Sequence, residues 1–314
     1  MIRPNDEFEV GRKDIQDAWG TIEQTISTHH LRFRCIIYDD DAAHVAPLIY
    51  VRVLSSNPVR LAHPDVNHLF DDVLITRDSG DVLLNHGDAL HLTRTISILF
   101  HDDSDVEEAL TPAQESETAN FADRYLMTNR MLGAGGQACV FVAVKQSTRE
   151  QIACKIVPIR APESDANASR AEDLLRKRKN LAREYHVLKN LDHPNIIGLE
   201  KVFCATYNIY ILQELITGGD LHSYVVHMGQ LTEPESAVIV RQILKAVEFL
   251  HNNEVVHRDI KPENILMTSW RQGTRVVLSD FGQARTIGQP KSSFNSAAVC
   301  RMQTVVGTNG YTAP

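Results

Sequence analysis

Val256-His257-Arg258-Asp259-Ile260-Lys261-Pro262-Glu263-Asn264-Ile265-Leu266 is followed downstream by Leu278-Ser279-Asp280-Phe281-Gly282. These two runs decide how the rest of the chain is read. Each sets charged and amide side chains between apolar, strand-forming residues, the pattern of a loop held by a core. Asp259 can accept a hydrogen bond from a hydroxyl, and Lys261 can offset negative charge. Asn264 and Asp280 offer hard oxygen donors, which suit Mg²⁺. Phosphoryl transfer needs this set, because it asks a protein to position an acceptor and neutralise charge. An isolated Asp-Phe-Gly also suits an ordinary turn, so the information lies in the ordered pair of runs.

Read as H-R-D-I-K-P-E-N and then D-F-G, the two runs match the protein-kinase signature at every position that carries a role. The chain therefore resembles the eukaryotic serine/threonine protein kinases. The resemblance implies ATP and Mg²⁺ as cofactors, with Asp259 and Lys261 as catalytic residues and Asn264 and Asp280 as metal ligands. Upstream, Met131-Leu132-Gly133-Ala134-Gly135-Gly136-Gln137-Ala138-Cys139-Val140-Phe141 is similar to the family's Gly-rich loop, with Ala138 in the third glycine position. By that resemblance Leu132, Gly133, Ala134, Gly135, Gly136 and Val140 line the nucleotide. Gln151-Ile152-Ala153-Cys154-Lys155-Ile156-Val157 matches the strand whose lysine contacts the α- and β-phosphates, giving Ala153 and Lys155. Leu174, Leu181, Tyr185 and Leu188 keep a helical period, and the resemblance makes Glu184 the partner of Lys155. The basic run Arg176-Lys177-Arg178-Lys179 reads first as a solvated helix face, and otherwise as a nuclear-import signal or a dock for a phosphorylated loop. Ile209 to Leu221 is similar to the hinge, with Gln213 as gatekeeper, Glu214 and Ile216 on the adenine, and Leu266 beneath it.

Thr232-Glu233-Pro234-Glu235 opens a helix whose Ile239, Ile243, Val247 and Leu250 share a face leading into the catalytic run. After Gly282 comes a polar activation segment. Thr304 stands where such kinases are phosphorylated, and Arg258 is the residue that would grip the phosphate. Asp259-Ile260-Lys261 together with Thr308 favours serine or threonine over tyrosine as acceptor. The sequence stops at Ala313-Pro314, one residue short of the glutamate of A-P-E, so the expectation is a kinase domain with an incomplete C-lobe.

Composition describes an ordinary globular chain: 314 residues, 43% hydrophobic, 23% charged, net charge −8. The acidic balance gives no reason to expect direct nucleic-acid binding, and no apolar run has the length of a membrane span. Five scattered cysteines without metal-ligand spacing point to a reducing compartment, nuclear or cytoplasmic, with the nucleus favoured by resemblance.

The N-terminal stretch alternates at period two. Leu31, Phe33, Cys35 and Ile37 fall on one face, and Pro47 to Leu54 is a second β-rich run. Asp81-Val82-Leu83-Leu84 and Leu90-His91-Leu92 are shorter strands around the turn Asn85-His86-Gly87-Asp88. The pattern predicts an all-β sandwich over 1–101. Gly11-Arg12, Ser27-x-x-His30, Ser55-x-Asn57 and Gly87-Asp88 occur in the order that resembles a forkhead-associated (FHA) domain. That resemblance implies phosphothreonine binding by Arg12, Ser27 and Asn57, with His30 bracing the loop. A guanidinium and a hydroxyl converging on one loop end can hold a phosphate dianion. Pro58 replaces the family's glycine.

The expectation is thus a multidomain chain: an all-β FHA sandwich (1–101), an acidic linker (102–123) and an α+β protein kinase-like domain (124–314), with N-lobe and partial C-lobe. The function implied is an FHA-bearing serine/threonine kinase of checkpoint type. Gln213 at the gatekeeper position is similar to the fungal meiotic subgroup. Partners implied are ATP, serine/threonine protein substrates, phosphothreonine ligands and another copy of the chain. The alternative is a phosphothreonine-binding adaptor whose kinase part is inert.

Overall fold

The computed structural model describes residues 7–20, 23–36, 47–62, 73–101, 109–134, 138–159, 188–189 and 191–286. The chain divides into two compact units, Met1–Lys155 and Ile156–Pro314.

The first unit begins with two four-stranded sheets. β1 (Glu7–Val10), β2 (Leu31–Ile36), β3 (Leu48–Val53) and β6 (Asp81–Leu83) form one, in the order β1-β2-β3-β6. β4 (Val59–Ala62), β5 (Val73–Ile75), β7 (Ala89–His91) and β8 (Ser97–Leu99) form the other, in the order β5-β4-β7-β8. Neighbouring strands are antiparallel throughout. One core joins the two sheets: Leu31, Phe33, Cys35, Ile49, Val51 and Val53 from the first, Val59, Leu61, Ile75 and Leu90 from the second. The period-two faces of β2 and β3 supply that core, as alternation requires.

Two elements depart from the expectation from sequence. An eight-residue helix α1 (Arg12–Trp19) follows β1, so the N-terminal region is not wholly β. It buries a single apolar residue, Ile15, which leaves no helical period to read. Its ends hold it instead. Gly11 N–H donates to Asp14 Oδ2 at 2.8 Å, and Gly20, at φ 70°, closes the helix by donating to the Gln16 carbonyl at 2.8 Å. The stretch expected to be an acidic linker, 102–123, carries a helix, α2 (Pro112–Thr118). Thr111 and Gln114 cap it reciprocally, at 2.9 and 3.3 Å, with Pro112 in the first turn. Leu110 and Phe121 on either side are buried.

β9 (Tyr125–Ala134) and β10 (Cys139–Lys145) follow as an antiparallel hairpin, and β11 (Gln151–Pro158) lies beside β10. In β11, Ile152, Cys154 and Ile156 are buried, while Gln151, Ala153 and Lys155 share the half-buried face.

The second unit contains the hairpin β12 (Leu199–Cys204) and β13 (Asn208–Gln213), then α3 (Leu221–Met228) and the twenty-residue α4 (Glu233–Asn252). Thr232 and Glu235 form a reciprocal cap on α4, and Ile239, Ala246 and Leu250 face its core. Two short antiparallel pairs complete it: β14 (Val255–Val256) with β17 (Arg285–Thr286), and β15 (Ile265–Met267) with β16 (Val276–Leu278). No helix among the described residues is long and apolar enough to cross a membrane.

Candidate active site and a second polar loop site

In the second unit, the β15–β16 pairing sets Ile265 opposite Leu278. Asn264 and Ser279 are therefore brought together just beyond one end of the ladder. Ser279 N–H donates to the Asn264 carbonyl at 2.8 Å, and Ser279 Oγ adds a second bond to that oxygen at 3.0 Å. Asp280 comes next, at φ 57° and ψ 75°, with Oδ1 accepting from Gly282 N–H at 3.4 Å. The strand leading to it is pinned from behind. Asn195 accepts from Leu278 N–H at 2.9 Å and donates through Nδ2 to the Val276 carbonyl and to Gln242 of α4.

Asn264 Nδ2 donates to both the Asp259 carbonyl (2.7 Å) and Asp259 Oδ2 (3.0 Å). Lys261 Nζ lies 3.5 Å from the same Oδ2. The Asn264 amide is thus turned with its donor toward Asp259, which presents its oxygen as a hard ligand. That oxygen and the Asp280 carboxylate are hard donors of the kind that suits Mg²⁺.

His257, 2% exposed, ties this loop to the Asp280 turn. Its Nε2 bonds the Ser279 carbonyl at 2.9 Å, its Nδ1 accepts from Asp259 N–H at 3.3 Å, and its ring meets Phe281 edge-on. A neutral ring with its proton on Nε2 satisfies both bonds. Burial pushes its pKa below the ordinary histidine value, opposed by the bond to Ser279 and the carboxylates of Asp280 and Asp259. Arg258 takes φ 74°, a backbone conformation held at cost and found at functional loops.

The residues expected to form the hinge lie in this unit too. Glu214 N–H donates to the Gly198 carbonyl at 2.9 Å, and its carboxylate receives both arms of Arg275, at 2.5 and 2.9 Å. Gln213 ends β13 half-buried, and Ile216 is buried. Gly218 passes so close to β15 that a Cβ would sit 2.2 Å from the Met267 carbonyl oxygen, so no side chain fits. This close passage also pairs Asp220 with Leu266. Arg275 gave no signal in the sequence, because its partner is far along the chain.

In the first unit, Leu132, Gly133 and Ala134 end β9, Val140 lies in β10, and Ala153 and Lys155 lie on one face of β11. Gly135, Gly136, Glu184 and Thr304 are outside the described residues.

The first unit also brings Arg12, Ser27 and Asn57 to one loop. Arg12 N–H donates to the Ser27 carbonyl at 3.0 Å, and its guanidinium donates to the carbonyls of Ile26 (2.8 Å) and Gln24 (3.3 Å). Asn57 Nδ2 donates to the Thr25 carbonyl at 2.6 Å. Ser27 Oγ meets Ser55 Oγ at 2.7 Å, and Ser55, 3% exposed, also accepts from Asn57 N–H at 3.0 Å. Ser55 is the brace between the two loops. His30 is fully buried, and its Nδ1 accepts from Ser27 N–H at 3.0 Å. Burial lowers its pKa. Gly11 closes the site from below: a Cβ there would lie 1.7 Å from the Thr28 carbonyl oxygen.

The loop of Asp259 and Asn264, tied through His257 to the Asp-Phe-Gly turn, carries the signature of a class, and the comparison with protein families agrees. Residues 126–314 match the protein kinase domain, and the chain belongs to that family. Over its whole length it is 31% identical to the meiosis-specific serine/threonine-protein kinase mek1 of Schizosaccharomyces pombe, covering 61% of that protein. With 98% of its length it is 32% identical to the meiosis-specific serine/threonine-protein kinase MEK1 of Saccharomyces cerevisiae, covering 58% of it. The likeness to myosin light chain kinase A of Dictyostelium discoideum, 34% identical, takes in 58% of this chain and 55% of that protein. The chain thus spans about three fifths of the two meiotic relatives, at 61% and 58%.

Proposed function

We propose that the protein is an ATP- and Mg²⁺-dependent serine/threonine kinase acting in meiotic checkpoint signalling, with an FHA-type module that binds phosphothreonine. The observation that carries the catalytic part is the tie among Asp259, Asn264 and Ser279, which holds the Asp259 carboxylate beside the metal-ligand pair Asn264 and Asp280. In this reading the acceptor hydroxyl attacks the γ-phosphorus of ATP, its proton passes to Asp259, and the bond to the ADP oxygen breaks. Lys261 offsets charge on the transferring oxygens. Mg²⁺, held by Asn264 and Asp280, supplies charge neutralisation when bound. Lys155 would hold the α- and β-phosphates, and the backbone at Glu214 and Ile216 the adenine, with Gln213 as gatekeeper.

The names of the two relatives matched along 100% and 98% of this chain support the meiotic assignment: both are described as meiosis-specific serine/threonine-protein kinases. The phosphothreonine reading is supported by Arg12, Ser27 and Asn57 meeting on one loop. The adaptor alternative rests on the same loop. Arg258, at its unusual φ, would receive a phosphate on Thr304, and binding of the module to phosphothreonine on a second copy would raise local concentration for that step. A nuclear location is proposed with the checkpoint role.

The test is Asp259→Asn in the complete protein, followed by phosphate incorporation into a serine/threonine peptide. The expected loss is about 10²–10⁴-fold in turnover, with nucleotide binding retained. Turnover within a few-fold of the wild type would overturn the kinase assignment.

A further inference from the structure

The face of the β1-β2-β3-β6 sheet turned away from the sandwich core is withdrawn from water. Alternation places Arg34 and Ile36 of β2 and Leu48 and Tyr50 of β3 on that face. They are 6, 2, 1 and 1% exposed. Polar contacts from the hairpin region of the same compact unit land on its rim. Arg130 of β9 donates to the carbonyl of Pro47, the residue before β3. Gln151, the first residue of β11, makes a closer match. Its Oε1 accepts from Leu83 N–H at 2.7 Å, and its Nε2 donates to the Leu83 carbonyl at 3.0 Å.

Leu83 ends β6, the edge strand of its sheet. The neighbouring Leu84 N–H bonds back to Ile49, so in the antiparallel alternation the peptide groups of Leu83 point outward. Outward-pointing groups on an edge strand are an open template for pairing. The primary amide of Gln151 supplies one acceptor and one donor, and so reproduces a rung of the missing strand. Gln151 shares its face of β11 with Ala153 and Lys155, and four residues of strand span roughly 13 Å. The Pro47 contact lies at the other end of β3 from Ser55 and Asn57, so docking here and ligand binding at the Arg12 loop do not compete.

We propose that this face and edge of the sandwich are a docking surface for β9 and the start of β11 of the same chain, keyed by Gln151, and that through β11 the sandwich senses nucleotide held at Lys155. The second half rests on the kinase reading; the docking half does not. Fixing Lys155 on phosphates suppresses fraying of β11, and the Gln151–Leu83 rung then opens less often.

Hydrogen exchange on the complete protein, read at Leu83 and Leu84 and along β11, tests both halves. Without nucleotide, Gln151→Ala speeds exchange at Leu83 by about tenfold, as expected for the loss of two hydrogen bonds. Gln151→Glu keeps the acceptor, loses the donor, and falls between; it also serves if the alanine variant does not fold. Adding a non-hydrolysable ATP analogue with Mg²⁺ slows Leu83 exchange several-fold in the wild type and leaves it unchanged in Gln151→Ala, while calorimetry shows that the variant still binds nucleotide. Unaltered Leu83 exchange in both variants would overturn the docking surface. A nucleotide response that persists in Gln151→Ala would overturn the coupling through this rung. Absence of nucleotide binding by the wild type would overturn the kinase reading and the coupling together, and leave the docking half to the nucleotide-free exchange.

Discussion

Two buried histidines organise two polar loops of this molecule, and they differ in how many segments they join. His30 and His257 are 0 and 2% exposed, and each accepts a backbone N–H on Nδ1, from Ser27 and Asp259 respectively. In both, burial lowers the pKa by penalising the charged ring. His257 goes further, because its Nε2 reaches the Ser279 carbonyl and links the catalytic loop to the turn that carries Asp280. His30 Nε2 is buried without a hydrogen-bond partner among the described residues, so that ring shapes one loop and joins nothing further. Around His30 the cross-links fall to Ser55, Asn57 and Arg12. The Asp259 loop is thus held by one central ring, and the Arg12 loop by several peripheral bonds.

Breaking the first kind of arrangement has the larger consequence. His257→Ala removes a buried ring from against Phe281 and strips partners from the Ser279 carbonyl and the Asp259 amide. A cost of about 3–5 kcal/mol in unfolding free energy is expected, measured by urea denaturation, together with loss of activity.

Gly11→Ala ranks second. Its Cβ would lie 1.7 Å from the Thr28 carbonyl oxygen, so the 23–30 loop must move. An overpacked site of this kind costs about 1–3 kcal/mol. Thermal unfolding should register that cost, and phosphopeptide binding measured by calorimetry should be lost.

Arg12→Ala sharpens the comparison on affinity. Loss of a charged hydrogen-bond partner should weaken a phosphothreonine peptide about tenfold or more, with unphosphorylated peptide binding unchanged. Arg12→Lys keeps the charge but cannot serve the Ile26 and Gln24 carbonyls as a fork, and should recover only part of the affinity.

The smallest effect is on pH. Both histidines have folded-state pKa values below the ordinary 6.5. An unfolded chain therefore takes up protons on them before the folded chain does. Their stabilising contribution is whole above the unfolded value and is lost as the pH falls through the folded one. At pH 5.5 each contributes at most about 1.4 kcal/mol of destabilisation relative to pH 7.5. Unfolding midpoints at the two pH values, compared with a His30→Gln variant, should show a smaller pH dependence in the variant.

Much of this is legible because the residues of the candidate catalytic site are near in sequence. Asn264 lies five residues from Asp259 and bonds it directly, so one short run of letters specifies a geometry. The alternation in β2 and β3 likewise identifies a core face from the residues themselves. The two short helices, α1 and α2, are not legible in the sequence, since each is set by its end caps and carries too few apolar positions to show a period.

The amino-acid sequence by itself determined the family signature, the strand faces and the order of the polar loops. Tertiary structure alone decided the partners at long separation. Ser27 meets Ser55 across 28 residues, Asn57 meets Thr25 across 32, Arg275 holds Glu214 across 61, and Gln151 pairs with Leu83 across 68. Local propensity and periodicity report only what neighbours along the chain do to one another. A bond between distant residues exists only once the sheets have packed and fixed which edges and loop ends lie within reach, and no short pattern of side chains encodes that closure.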